Sequence, residues 1–208
     1  MNAINELPES RLNEELARVF ALQQARKIEL RETGVEQRLE KLSRLRAAVL
    51  AHKADIVAAA HADMRKPQVD ALLGEILPVT QGIDLARRHL RRWMRPQRVK
   101  TPIHMLGTQA QVRFEPKGAT LIIAPWNVPV FLSFVPLASA IAAGCNAIIK
   151  PSEMTPNLAR VITEIVTSAF HEADVAVFEG GPEAAQALLK LPFDHIFYTG
   201  SPEIGKVV

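Results

Sequence analysis

The sequence predicts an α/β protein, in which a helical N-terminal layer is followed by a parallel sheet whose strands alternate with buried helices. Three observations carry this. Residues 8 to about 94 place apolar side chains at helical spacing with few interruptions. From residue 118 the style changes to short unbroken apolar runs separated by longer stretches, as in parallel strands buried on both faces. Within that part, residues 120–152 (TLIIAPWNVPVFLSFVPLASAIAAGCNAIIKPS) read without a break as strand, turn, helix, strand.

The helical layer opens with Leu12, Leu16, Val19 and Phe20 as one apolar stripe on an otherwise charged helix. Thr33-Gly34 ends it. Val35, Leu39, Leu42, Leu45 and Val49 start a second stripe, and an Ala-rich stretch with Ile56 and Val57 runs to His61. Pro67 interrupts again before Leu72, Leu73, Ile76, Leu77 and Ile83. This layer shows no constellation suited to chemistry, and His52 and His61 lack acid or cysteine partners at metal-ligand spacing, so no metal is expected. Residues 1–100 form this helical region. Residues 101–117 are expected to be extended, with an exposed antiparallel strand pair between Ile103 and Phe114 and a turn at Pro116-Lys117-Gly118.

Residues 118–208 form the sheet region. Leu121–Ala124 is too short for a helix and lacks polar alternation, so it reads as a buried strand. Pro125 and Pro129 bracket a stiff turn. Phe131 to Ala143 is an apolar helix stopped by Gly144, and Ala147–Ile149 is the next strand. A helix follows over Pro156–Phe170, with Thr155 as its N-cap, then a strand at Val175–Phe178 and a short helix over Pro182–Lys190. His195–Tyr198 is the fourth strand, and Ser201-Pro202 opens a last helix.

Composition narrows the class. With 48% apolar and 23% charged residues, the 208-residue chain suits a soluble globular protein. Its most apolar stretch, Val128–Ala143, holds Pro129 and Pro136 and reads as a core helix rather than a membrane span. The start, MNAINELPESRLNEEL, is too acidic for a secretory or transit signal. A lone cysteine excludes an internal disulfide and fits a cytoplasmic location. Arg87–Lys100 carries seven positive charges and no acid, without which the chain's +3 becomes −4. No nucleic-acid-binding motif accompanies that run, so it reads as a solvated helix end favoured by the helix dipole.

Ligands of open parallel sheets bind off the carboxyl ends of the strands. Asn127 follows the first strand there. Its amide could cap the turn or donate to a developing oxyanion. Lys150 and Glu153 follow the second strand, either as a solvated charge pair or as hydrogen-bonding groups for a ribose. Gly200-Ser201, with Gly205, follows a buried strand and opens a helix, where a pyrophosphate could approach free amides. As a bare pattern it is equally a simple N-cap with a packing glycine. Cys145 lies after a helix C-terminus, where the dipole disfavours a thiolate, and reads as structural.

Together, LIIAPWN, AAGCNAIIKPSEMTP and FDHIFYTGS resemble the aldehyde dehydrogenase superfamily in wording, order and separation. PFDHIFYTGS and EGGPEAAQALL are most similar to its class 3 branch, which includes coniferyl-aldehyde dehydrogenases. The resemblance runs from about residue 10 to the end. It implies a Rossmann-like cofactor sheet, here incomplete, and oxidation of an aldehyde to a carboxylic acid with NAD or NADP. It also implies residue roles: Asn127 for the oxyanion, Lys150 and Glu153 for the adenine ribose, and Gly200 and Ser201 for the pyrophosphate. Ile123, Ala124, Pro125 and Trp126 would line the cofactor cleft. An acid at Glu153 favours NAD, although class 3 relatives use both cofactors.

The resemblance further implies that the glutamate base and cysteine nucleophile lie beyond Val208, and that Cys145 is not that nucleophile. These 208 residues alone are therefore expected to be inactive, either as an incomplete sequence or as a truncated gene product. The alternative is a non-catalytic nucleotide-binding or partner-binding fragment. The class 3 resemblance leans toward aromatic or longer aliphatic aldehydes, no nucleic-acid or membrane partner, and a homodimer when the chain is full-length.

Overall fold

In the computed structural model, which describes residues 9–208, the N-terminal layer is helical from Glu9 to Trp93 with three interruptions. The acidic start of the chain, including Pro8, lies outside the described residues. Helix α1 (Glu9–Arg31) buries the expected stripe of Leu12, Leu16, Val19 and Phe20. Helix α2 (Val35–Ala51) starts at Gly34, whose N–H donates to Gln37 Oε1 at 2.9 Å, and buries Leu42, Leu45 and Val49. The Ala-rich stretch is a separate helix, α3 (Lys53–Met64), broken from α2 at His52. His52 does find an acid, with its Nδ1 3.0 Å from Asp55 Oδ2 across the first turn of α3. After Pro67 come α4 (Gln68–Ala71), a π-turn (Leu72–Ile76) and α5 (Leu77–Trp93). Pro78 accounts for the π-turn: it has no N–H for the Gly74 carbonyl four residues back, and its ring crowds that carbonyl.

The exposed strand pair exists, but not where the alternation placed it. Strand β1 (Gln97–Val99) pairs antiparallel with β2 (Ala110–Val112), so one partner lies before the expected Ile103–Phe114 window. Ile103–Met105 is instead a 3₁₀ turn, and Gly107 at φ +95° reverses the chain. The alternation around Gln109–Phe114 belongs to one strand and its flanks, which short patterns do not distinguish from a hairpin.

Four parallel strands follow: β3 (Thr120–Ile123), β4 (Ala147–Lys150), β5 (Val175–Val177) and β6 (His195–Tyr198). They lie in the order β5-β4-β3-β6. The connecting helices are α6 (Pro129–Ala143), α7 (Pro156–Ala169) and α8 (Pro182–Leu189), and β6 leads into α9 (Pro202–Gly205). Helix α6 begins two residues before the expected Phe131, because proline is well suited to the first helical position. The chain adds strands outward from β3 and then returns to its other side, so the direction of winding reverses between β3 and β6.

Side-chain alternation sorts the two faces of the sheet. Ile122, Ile149, Val175 and Val177 join Phe134, Leu137, Ile162 and Ile165 of α6 and α7, with Leu42, Leu45, Ile56 and Ile83 of the helical layer, in one core. The helical layer and the sheet thus share a hydrophobic interior. On the other face, Leu121, Ile148 and Ala176 meet Leu16 and Val19 of α1 and Leu188 of α8.

At the amino ends of the strands, α1 and α2 are tied down by polar groups. Gln23 Nε2 donates to the carbonyls of Ala147 and Glu172, each at 3.0 Å, and Asn146 Nδ2 donates to the Gln23 carbonyl at 2.6 Å. Asp174 takes Lys41 Nζ at 2.7 Å and Arg26 Nε at 3.0 Å. Asp194 accepts the Ala119 N–H at 2.8 Å and pairs with Lys27 at 3.0 Å.

Candidate functional site

The carboxyl ends of β3, β4 and β6 converge on three turns. The first leaves β3 through Ala124-Pro125-Trp126-Asn127. The Ala124 N–H extends the ladder to the Lys150 carbonyl at 3.1 Å, after which the two prolines force the chain out of the sheet. The turn is held from the helical layer. Lys66 Nζ donates to the Asn127 carbonyl at 2.9 Å and to Glu75 Oε1 at 2.7 Å. Glu75 Oε2 accepts the first N–H groups of α6, from Val130 at 3.0 Å and Phe131 at 3.3 Å. Asn127 itself is exposed, and among the described residues none hydrogen-bonds its side chain.

The second turn follows β4. Lys150 is folded back on its own turn, its side chain only 4% exposed, with Nζ donating to the Pro151 carbonyl and to Glu153 Oε2, both at 2.9 Å. Glu153 keeps 45% of its side chain exposed. Burial works against its charge, but the hydrogen bonds from Lys150 and its own backbone, with the lysine's charge, outweigh that and hold the carboxyl below the usual range. Thr155 occupies the expected N-cap position of α7, but its hydroxyl makes no capping bond. Asp63 of α3 caps the helix instead, accepting the N–H groups of Asn157 at 3.2 Å and Leu158 at 2.9 Å, and the Asn157 side chain at 2.6 Å. A carboxylate with two oxygens and a full charge serves several amides better than one hydroxyl can.

The third turn follows β6. Ser201 does cap α9, its Oγ accepting the Ile204 N–H at 3.3 Å. Gly200 is required by close approach: a Cβ there would overlap the Tyr198 ring, whose hydroxyl lies 3.4 Å from the Ser201 carbonyl.

Between these turns lies a cleft of about 480 Å³. Ile123, Ala124, Pro125, Trp126, Lys150, Glu153, Gly200 and Ser201 all line it. It opens between β3 and β6, where the winding of the sheet reverses, the usual ligand position in such folds. Asn127 is not among its lining residues. It sits one residue beyond Trp126, on the next part of the same turn. Sequence reasoning missed Gln186, Tyr198 and Ile204 in the lining. The strand period could have flagged Tyr198, two residues after the inward Ile196. It also missed Asp63, Lys66 and Glu75 in a layer that had shown no chemistry. The one signal for Glu75 is an acid set within the apolar run LLGEIL.

Cys145 lies at the other end of the sheet, between α6 and β4, with its N–H donating to the Ala140 carbonyl at 2.9 Å. Among the described residues, no group of three or more His, Cys, Asp or Glu side chains could hold a metal, and no helix is long and apolar enough to cross a membrane.

Comparison with known proteins agrees with this geometry. The model of the aldehyde dehydrogenase family matches residues 4–208. A 4,4'-diaponeurosporen-aldehyde dehydrogenase of Staphylococcus aureus is 44% identical over 171 residues, covering 82% of this chain and 37% of that protein. A probable coniferyl aldehyde dehydrogenase of Caulobacter vibrioides is 40% identical over 183 residues, covering 84% of this chain and 37% of that protein. The substrate-bound AldH structure of Staphylococcus aureus superposes with a TM-score of 0.89 at 40% identity, over 92% of this chain and 42% of that one. The chain spans less than half the length of these relatives.

Proposed function

The chain belongs to the aldehyde dehydrogenase family, and on that premise we propose that it supplies the cofactor cleft and oxyanion donor for NAD-dependent oxidation of an aldehyde to a carboxylic acid. The observation that carries this reading is the meeting of eight residues from three separate turns, Ile123–Trp126, Lys150 with Glu153, and Gly200-Ser201, on one cleft at the reversal between β3 and β6.

The residues suit a dinucleotide. Gly200 lets Tyr198 close against the turn, and the Gly200-Ser201 backbone lines the cleft at the start of α9, where its amides could meet a pyrophosphate. Ile123, Pro125 and Ile204 give the cleft an apolar wall for an adenine ring. Lys150 and Glu153 present a donor and an acceptor at one edge, suited to ribose hydroxyls. The charge held on Glu153 would repel a 2′-phosphate, which supports NAD over NADP. When bound, the nicotinamide supplies the hydride acceptor. Asn127, with a free side-chain amide on a fixed backbone, would donate to the aldehyde oxygen as it becomes negative. The names of the relatives support an aromatic or longer aliphatic aldehyde. A single cysteine supports a cytoplasmic setting. Homodimerisation of the whole enzyme follows from the class 3 resemblance alone.

Titration calorimetry of this chain with NAD and NADP tests the cleft. NAD should bind more tightly, and Glu153→Gln should narrow the preference by roughly tenfold, the weight of one charged hydrogen bond. Equal affinities in the unsubstituted protein would remove the ribose role of Glu153. In an active enzyme carrying this sequence, Asn127→Ala should lower kcat by about 10²–10³ with little change in KM for NAD.

A further inference from the structure

Resting on the reading of Asn127 as oxyanion donor, we propose that Lys66 and Glu75 are positioning residues for its amide, a clamp through which the helical layer sets the geometry of the reacting centre. Asn127 must leave its side chain free to act, so only its backbone can be held. Lys66 holds that backbone at the residue itself, 2.9 Å from the Asn127 carbonyl oxygen. Glu75 fixes the following residues through the N–H groups of Val130 and Phe131.

A helix end that needed only a cap would find it in a short polar side chain at its own N-cap, and Val128 stands there instead. The cap comes from a carboxylate 55 residues earlier. Glu75 has no exposed surface, while Lys66, 17% exposed, shields its charge and joins it to the turn. A buried carboxylate is costly unless each oxygen is paired, and here Oε1 takes the lysine and Oε2 the two amides. The π-turn belongs to the same device. It presents Glu75 inward and brings Gly74 against the turn, where an added Cβ would meet Val128 at 3.9 Å. Such turns inside helices recur at functional sites.

A displacement of the amide by about 1 Å is enough to cost on the order of a hundredfold in rate. The clamp should therefore act on kcat while leaving the cofactor cleft, on the other side of Trp126, intact.

The test is a double-mutant cycle in an active enzyme carrying this sequence, with Lys66→Met, Glu75→Gln and Asn127→Ala. Lys66→Met should lower kcat about tenfold with KM for NAD unchanged, and Lys66→Arg should recover most of the rate. Combined with Asn127→Ala, Lys66→Met should cost less than about twofold more, because the group it positions is gone. If Glu75→Gln or Lys66→Met alone does not fold, the Lys66→Met/Glu75→Gln pair, which leaves no buried charge without its partner, carries the test with the same expected loss in kcat and the same coupling to Asn127→Ala. Full additivity with Asn127→Ala, an unchanged kcat in Lys66→Met, or a parallel rise in KM for NAD would each overturn the clamp while leaving Asn127 as donor. An Asn127→Ala enzyme of normal rate would overturn the reading of Asn127, and the clamp with it.

Discussion

The helical layer grips both ends of the sheet, and it does so in opposite ways. At the amino ends of the strands, side chain meets side chain or closes on the carbonyls of a strand and the turn beside it: Asp174 with Lys41 and Arg26, Gln23 on Ala147 and Glu172, Asp194 with Lys27. Most of the polar groups there pair with one another, and among the described residues Gln23 Oε1 and Asn146 Oδ1 are buried without a partner. At the carboxyl ends, Asp63 and the Lys66–Glu75 pair reach across mainly to backbone, at Asn157, Leu158, Asn127, Val130 and Phe131, with the Asn157 side chain as the one side-chain partner there among the described residues. That satisfies the amides of two helix N-termini while leaving Trp126, Asn127 and Glu153 exposed. One end is closed for stability, and the other is held firmly but left chemically available. Those two helix N-termini are already filled by carboxylates, which favours the proposed phosphate position at Gly200-Ser201 over either of them.

The largest effect should come from breaking the closed end. Asp174→Ala would leave Lys41 and Arg26 partly buried without a partner, and urea unfolding should report a loss of about 3 kcal/mol. NAD affinity should not change, because the cleft lies at the far end of the strands; a drop in affinity would mean that the two ends are not separable. The acid dependence follows from the same group. Burial works against the Asp174 charge, but Lys41 and Arg26 outweigh it and hold the carboxyl below the usual aspartate range. A depressed pKa in the folded state gives stability that is complete above the unfolded-state value, near pH 4, and lost as pH falls through the folded one. Asp174→Asn should therefore flatten the stability profile below about pH 4 and leave it parallel above.

This division also explains what could be read from the sequence. The strands of the sheet were legible because Leu121–Ile123, Ile148–Ile149 and Val175–Val177 are apolar without alternation, and only a two-sided burial asks for that. The cleft was legible because its residues sit directly after those strands, so locating the strands located them. The antiparallel arm was legible in kind but not in place, since its strands are three residues each and solvent-exposed, with no core to impose a period. The clamp was not legible. Lys66 and Glu75 act on groups 61 and 55 residues away, and nothing local to either marks the contact. Thr155 misled for the same reason: it is a good N-cap by type, but the carboxylate of Asp63, 94 residues before the Asn157 amide it accepts, had the better geometry.

A smaller change at the open end distinguishes holding from closing. Asp63→Ala removes the cap of α7 but no core contact, and losing such a cap costs about 1 kcal/mol, well under the cost at Asp174. The first turn of α7 follows closely on Ser152-Glu153, so slackening it releases the residues proposed above to hold the ribose. NAD affinity should then fall by about threefold to tenfold, although Asp63 does not line the cleft. Asp63→Asn should recover the stability more fully than the affinity, since a neutral amide oxygen can cap one N–H group but cannot draw in both, together with the Asn157 side chain. If Asp63→Ala cost stability and left NAD affinity untouched, α7 would be a support for the core alone. The distinction between the two ends would then rest on the Asn127 turn.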